Sequence, residues 1–159
     1  MILILVATCM LFFALAVPVW GSLTLSEKQR SELIEKAVDA RAKSYAPYSN
    51  FHVGAALMDK QGKIFQGANV ENSSYSLGCC AERVALFKAV SEGSKEFLAI
   101  AVCVPGGGNP CGACRQVLNE FNPNLQIILV DAAGKLVSEK TLFELLPEAF
   151  GPHNLESRP

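Results

Sequence analysis

Cys80-Ala81-Glu82-Arg83, followed downstream by Pro110-Cys111-Gly112-Ala113-Cys114, is the pair of stretches on which the reading of this chain turns. Three cysteines at this spacing can close around one zinc ion and leave its fourth position open to water. Such a site activates the water instead of merely pinning a fold. Glu82 stands two residues after the first cysteine, where a carboxylate can face the open position without occupying it.

Working outward, residues 80–92 read as a helix, with Val84, Ala85, Ala89 and Val90 apolar and Gly93 as its stop. Residues 111–121 read as a second helix. Each cysteine segment therefore opens a helix. A helix amino end carries partial positive charge and free N–H groups, which favour the thiolate, the form that binds metal. Between the two helices, 98–104 is a continuous apolar run with the character of a buried strand. Pro105-Gly106-Gly107-Gly108-Asn109 is a flexible connection.

Upstream, Ser26-x-x-Gln29 predicts a capping box opening an amphipathic helix. Leu33, Ile34, Ala37 and Val38 form its apolar face, and Ala46-Pro47 and Ser49-Asn50 its end. Residues 51–58 and 63–68 predict two strands joined at the turn Asp59-Lys60-Gln61-Gly62, a hairpin. A polar loop, 69–78, leads to the first cysteine segment. Downstream, 126–130 predicts a strand, Asp131-Ala132-Ala133-Gly134 a turn, 136–137 a short strand and 141–146 a helix closed by Pro147. Helices alternating with strands imply an α/β domain with one sheet covered on both faces. No repeat, linker or second domain is visible.

The chain has 159 residues, 50% hydrophobic and 18% charged, enough apolar material for one domain with its own core. Its formal net charge is −1 and it carries no Lys/Arg run, so it lacks the electrostatic footprint of a nucleic-acid binder. A small neutral or weakly charged substrate fits better than a polymer. The six cysteines are Cys9, Cys79, Cys80, Cys103, Cys111 and Cys114. In a small secreted protein an even count implies disulfides. Here the adjacency of Cys79 and Cys80 and the Glu-bearing partner of the Cys-x-x-Cys pair favour metal.

Residues 1–22 begin MILILVATCMLFFALAVPVW and carry no charged side chain. The segment is long enough to span a membrane. It also has the apolar core, Pro18 and small Gly21-Ser22 of a signal peptide, though no Lys or Arg near its start. Cleavable signal, uncleaved anchor and a start unused in the working protein are the three readings, and residues 23–159 form the domain in each.

Three thiolates make zinc electron-rich. Arg83 and Arg115 each adjoin a cysteine segment, and at least one, Arg83 first, is expected to donate to a sulfur and offset that charge. Glu82 in this setting is a proton carrier. Alone it would be a helix-capping carboxylate. Asn69 and Glu71 alternate along a strand end and suit either the hydroxyls of a sugar or a solvated turn. His52, placed in a strand, and His153 stand outside the metal motif.

Together, Tyr48-Ser49-Asn50-Phe51-His52-Val53-Gly54-Ala55-Ala56-Leu57, Asn69-Val70-Glu71-Asn72, Cys80-Ala81-Glu82-Arg83, Pro110-Cys111-Gly112-Ala113-Cys114-Arg115-Gln116 and Leu145-Leu146-Pro147 through Phe150-Gly151-Pro152 resemble the small homotetrameric cytidine deaminases. A ligand-x-Glu segment paired with Pro-Cys-x-x-Cys is the zinc deaminase signature. The resemblance covers nearly everything after Ser26. It implies a three-layer α-β-α fold around a mixed five-stranded sheet. It also implies hydrolytic deamination of cytidine and deoxycytidine to uridine and deoxyuridine with release of ammonia, in pyrimidine salvage. By resemblance Cys80, Cys111 and Cys114 bind one Zn2+ per subunit and Glu82 shuttles protons. Asn69 and Glu71 bind the ribose 3′-hydroxyl, Phe51 walls the base pocket and Ala81 contacts substrate. Ser73, Tyr75 and Phe150 reach a neighbouring subunit's site, so a homotetramer completes the active sites.

The chain departs from the family in His52, where Pro is usual, in Cys79, where an aliphatic is usual, and in its apolar leader. The family is cytosolic, whereas the leader argues for secretory entry or an anchor; membrane contact requires that it be retained. Two other readings compete. A polynucleotide deaminase usually places His before x-Glu and needs a basic channel, and a blasticidin-type nucleoside is a further substrate class. A secreted, zinc-stabilised binding protein would need a fourth protein ligand, for which only Cys79 stands near.

Overall fold

The computed structural model describes residues 25–155, and the leader expected over 1–22 lies outside them. Helix α1, Glu27–Arg41, opens on the expected capping box: Gln29 N–H donates to Ser26 Oγ at 3.3 Å and Ser26 N–H to Gln29 Oε1 at 3.0 Å. Its face buries Leu33, Ala37 and Ala40, with Ile34 and Val38 packed partly against the core. The helix ends before Ala46-Pro47 because the chain leaves to pair elsewhere. Tyr45 N–H donates to Asn69 O at 2.9 Å and Glu71 N–H to Tyr45 O at 2.8 Å.

Five strands follow: β1 Gly54–Asp59, β2 Ile64–Ala68, β3 Phe97–Cys103, β4 Gln126–Val130 and β5 Leu136–Thr141. They form one sheet in the order β2-β1-β3-β4-β5. The β3–β4 pair is parallel and the other three are antiparallel, so the sheet is mixed as expected. β1 starts three residues later than its apolar pattern predicts. Val53 N–H goes to the Asn69 side chain and not to a ladder, and His52 therefore lies before the strand. β5 is longer than expected. It is an edge strand with a polar, largely exposed face, so hydrophobic pattern reveals only its start.

The remaining helices are α2 Ala81–Ser91, α3 Gly112–Asn119 and α4 Leu142–Leu145. The period of two along β1 sorts the core into two layers. Ala55 and Leu57 join Phe65, Ala85, Leu86, Leu118 and Leu142 on the side of α2, α3 and α4. Ala56 and Met58 join Leu33, Ala37, Ile128 and Val130 on the side of α1. Each fully buried Leu, Ile, Met or Phe contributes about 1.5–3 kcal/mol to the hydrophobic term.

Two glycines set the helix-to-sheet distance. A Cβ on Gly54 would lie 2.2 Å from Ala37 O and 2.3 Å from Arg41 N, and one on Gly67 would lie 2.3 Å from Ala85 N and 2.4 Å from Ala81 O. The backbones of α1 and α2 thus rest directly on the strands. Among the described residues, no helix is long and apolar enough to cross a membrane.

Candidate active site

The two helix starts converge as the sequence predicts. Cys80 is the N-cap of α2 and Cys111 the N-cap of α3, and Cys114 follows in the first turn of α3. The ligand sulfurs of Cys80, Cys111 and Cys114 all lie within 4.8 Å of one another. Cys111 Sγ stands 3.5 Å from Cys114 Sγ. Among the described residues this is the one such cluster of His, Cys, Asp and Glu. Cys79 is not part of it; its backbone pairs with Val70, and burial pushes its thiol up.

Charge on the cluster is arranged for a cation. The Cys80 thiolate is held down at about 5, first by the Cys114 thiol and then by the Arg83 guanidinium, against the cost of burial. The Cys114 thiol is correspondingly pushed up by its bond to Cys80 and by burial. Arg83 Nη2 donates to Cys80 Sγ at 3.6 Å, the role expected of it. Its Nε is buried without an acceptor among the described residues, which leaves a donor in reserve beside the sulfurs. Arg115 does something else: Nε donates to Pro110 O at 2.7 Å and Nη1 to Leu145 O at 2.8 Å. It braces the loop in front of Cys111 and does not touch a sulfur. Three sulfurs within reach of a single ion, with an arginine on one of them, fit zinc.

Glu82 sits on the first turn of α2 with 5% of its surface exposed, and burial raises its pKa. Glu82 and two of the cysteines, Cys80 and Cys111, line one cavity of about 240 Å³. Ala81 lines the same cavity, as do Phe51 and Asn69. Asn69 reaches it while bracing the wall: Oδ1 accepts from Val53 N–H at 2.8 Å and Nδ2 donates to Phe51 O at 2.8 Å.

A match to the cytidine and deoxycytidylate deaminase zinc-binding region runs over residues 27–130. The chain belongs to this deaminase family. It is 47% identical over 127 residues to a cytidine deaminase of Sporosarcina psychrophila, covering 78% of this chain and 93% of that protein. A probable cytidine deaminase of Dictyostelium discoideum is 44% identical over 131 residues, covering 78% of this chain and 88% of that one. The crystal structure of a cytidine deaminase from Burkholderia pseudomallei superposes with TM-score 0.73 at 49% identity, over 79% of this chain and all of that one (100%).

Other residues named from the sequence are not among those lining this cavity. Glu71 lines a second cleft with Tyr48, Ser49, Asn72 and Tyr75. Its carboxylate accepts from Tyr48 N–H at 2.9 Å, from Ser49 N–H at 3.2 Å and from the Ser49 hydroxyl. The Ser49 hydroxyl, then the Tyr48 N–H, lower its pKa. Between Asn69 and Glu71, Val70 bridges Tyr45 on one side and Cys79 on the other. Ser73 is exposed, Tyr75 is 82% exposed and Phe150 59%. A larger recess, about 540 Å³, between the end of α3 and the C-terminal turn, holds none of these residues. Sequence reasoning missed Val53, Val102, Val104, Gly108 and Asn109 as cavity wall. The Pro-Gly-Gly-Gly-Asn run directly before Pro110 was the available signal for the last two.

Proposed function

We propose that this chain hydrolyses cytidine and deoxycytidine to uridine and deoxyuridine, releasing ammonia, and so serves pyrimidine salvage. The observation that carries it is one cavity lined by Cys80 and Cys111 of a three-sulfur cluster and by the buried Glu82. Cys80, Cys111 and Cys114 hold the zinc. When bound, zinc supplies the Lewis acidity that makes water a nucleophile at neutral pH. The net change at the base is a C–O bond formed and a C–N bond broken at one carbon, with water consumed.

Glu82 moves the protons. As a carboxylate it accepts one from water and, as the acid, delivers it to the ring nitrogen; it then accepts the proton of the newly bound hydroxyl and delivers that one to the departing amine, so that both protons of water are accounted for. Burial raises its pKa, which eases its holding a proton between the two transfers. Arg83 keeps the sulfurs from carrying uncompensated charge. Phe51 covers the base and Ala81 offers backbone at the cavity edge. Asn69 and Glu71 take the sugar hydroxyls, with Glu71 exchanging its present Tyr48 and Ser49 partners for substrate.

Ser73, Tyr75 and Phe150 serve a neighbouring subunit in a homotetramer, which accounts for large aromatic surfaces left open in one protomer. Residues 23–159 are the working domain. Cleavage, retention or non-use of 1–22 decides among a secreted, a membrane-attached and a cytosolic form, which cell fractionation with and without that segment reads.

The test is ultraviolet-monitored conversion of cytidine by the full chain beside Glu82→Gln, with zinc measured in both. Turnover by the parent alone, at equal zinc, supports the assignment. No turnover by a zinc-loaded, assembled parent overturns it. Light scattering tests the assembly: a fully active monomer removes the subunit-sharing roles.

A further inference from the structure

We infer that Val137, on the sheet edge and outside the cavity, is a positioning residue for the substrate pocket, acting through the glycine loop 105–109. This rests on the function proposed above. The loop leaves β3 at Val104, whose N–H donates to Val130 O at 3.1 Å, and turns where Gly107 N–H donates to Val104 O at 3.1 Å. Gly106 and Gly107 both sit at positive φ, 72° and 73°. Gly108 and Asn109 then form part of the cavity wall beside Cys111.

Three consecutive glycines are costly to hold in one conformation, because glycine loses more backbone freedom on ordering than other residues. Val137 holds them. A Cβ on Gly107 would lie 2.6 and 2.7 Å from the two γ carbons of Val137 and 2.9 Å from its Cβ. The isopropyl group therefore lies flat on the Gly107 backbone, and only glycine lets it approach so closely.

The register explains why a side chain of β5 points there. Leu129 pairs with Ser138 and Val130 with Leu136, so Val137 is the extra residue of a β-bulge. A bulge re-aims one side chain and is favoured at edges and near sites. Here it turns Val137 onto the loop. Val137 touches nothing that reacts. It keeps the wall formed before substrate arrives, so substrate does not bear the cost of ordering the loop.

The test compares Val137→Ala with Val137→Thr, which keeps the branched shape, in the full chain. Expected for Val137→Ala is a rise in the KM for cytidine of about three- to tenfold, with kcat and zinc content within about twofold of the parent. Hydrogen exchange of the 105–109 amides should quicken in Val137→Ala. Val137→Thr should restore both KM and exchange. A merely structural contact would lower the melting temperature with KM unmoved, and that result overturns the inference, as does equal loss in both variants. Should the parent leave cytidine unchanged, the proposed function is what fails. The exchange measurement then decides the anchoring alone, and unchanged exchange in Val137→Ala overturns it.

Discussion

Gly67→Ala adds one methyl group where the backbone of α2 lies against β2. The new carbon would meet Ala85 N at 2.3 Å, Ala81 O at 2.4 Å and Ala85 Cα at 2.9 Å. All three are backbone atoms and cannot rotate away. Ordinary contact requires a separation of about 3.5 Å, so α2 must retreat by about 1 Å. Overpacking of this kind costs about 1–3 kcal/mol, or about 3–12 °C of melting temperature in a domain of this size. The same shift moves Cys80 at the helix cap and Glu82 in the first turn relative to Cys111 and Cys114. A misplacement of about 1 Å at reacting groups costs about 100-fold in rate.

Gly54→Ala is the matched control. Its carbon would press on α1, at 2.2 Å from Ala37 O, and α1 carries none of the site residues. A comparable fall in melting temperature is expected from both substitutions, with loss of kcat and zinc retention confined to Gly67→Ala. Calorimetry, zinc stoichiometry and initial rates read the three quantities. A Gly67→Ala protein that melts within about 1 °C of the parent and turns over at the parental rate would refute the close-contact argument.

In zinc-free protein, iodoacetamide should modify Cys80 ahead of Cys114, and the rate should fall as pH drops through about 5, where the Cys80 thiolate takes up its proton. Arg83→Ala removes a donor that favours the thiolate, so that midpoint should move upward; an unmoved midpoint denies the Arg83 contact. Arg115→Ala leaves Pro110 O and Leu145 O without their shared donor, which should cost about 2 kcal/mol and speed zinc release to a chromogenic chelator. Arg115→Lys cannot span both carbonyls and should recover less than half of that loss, and full recovery would mean charge alone matters. Asn69→Ala should raise the KM for cytidine about tenfold, because it removes both a polar group of the cavity and the brace on the Phe51 and Val53 backbone; a KM equal to the parent's rules out both roles.

The sequence alone determined the chemistry of the metal centre and the order of elements. Cys80, Glu82, Cys111 and Cys114 are legible because each lies in the opening turn of its helix, where spacing along the chain translates directly into position. The mixed sheet was legible by resemblance. Tertiary structure decided what local pattern cannot carry. Which arginine meets a sulfur depended on the orientation of two helices; Arg83 does, while Arg115 went to carbonyls separated from each other along the chain. Gly54 and Gly67 had a local signal, glycine within a strand, but only the packed helices show that backbone fills the missing side chain's place. Val137 had no signal, because a bulge arises from the register between two strands, and register is a property of the pair.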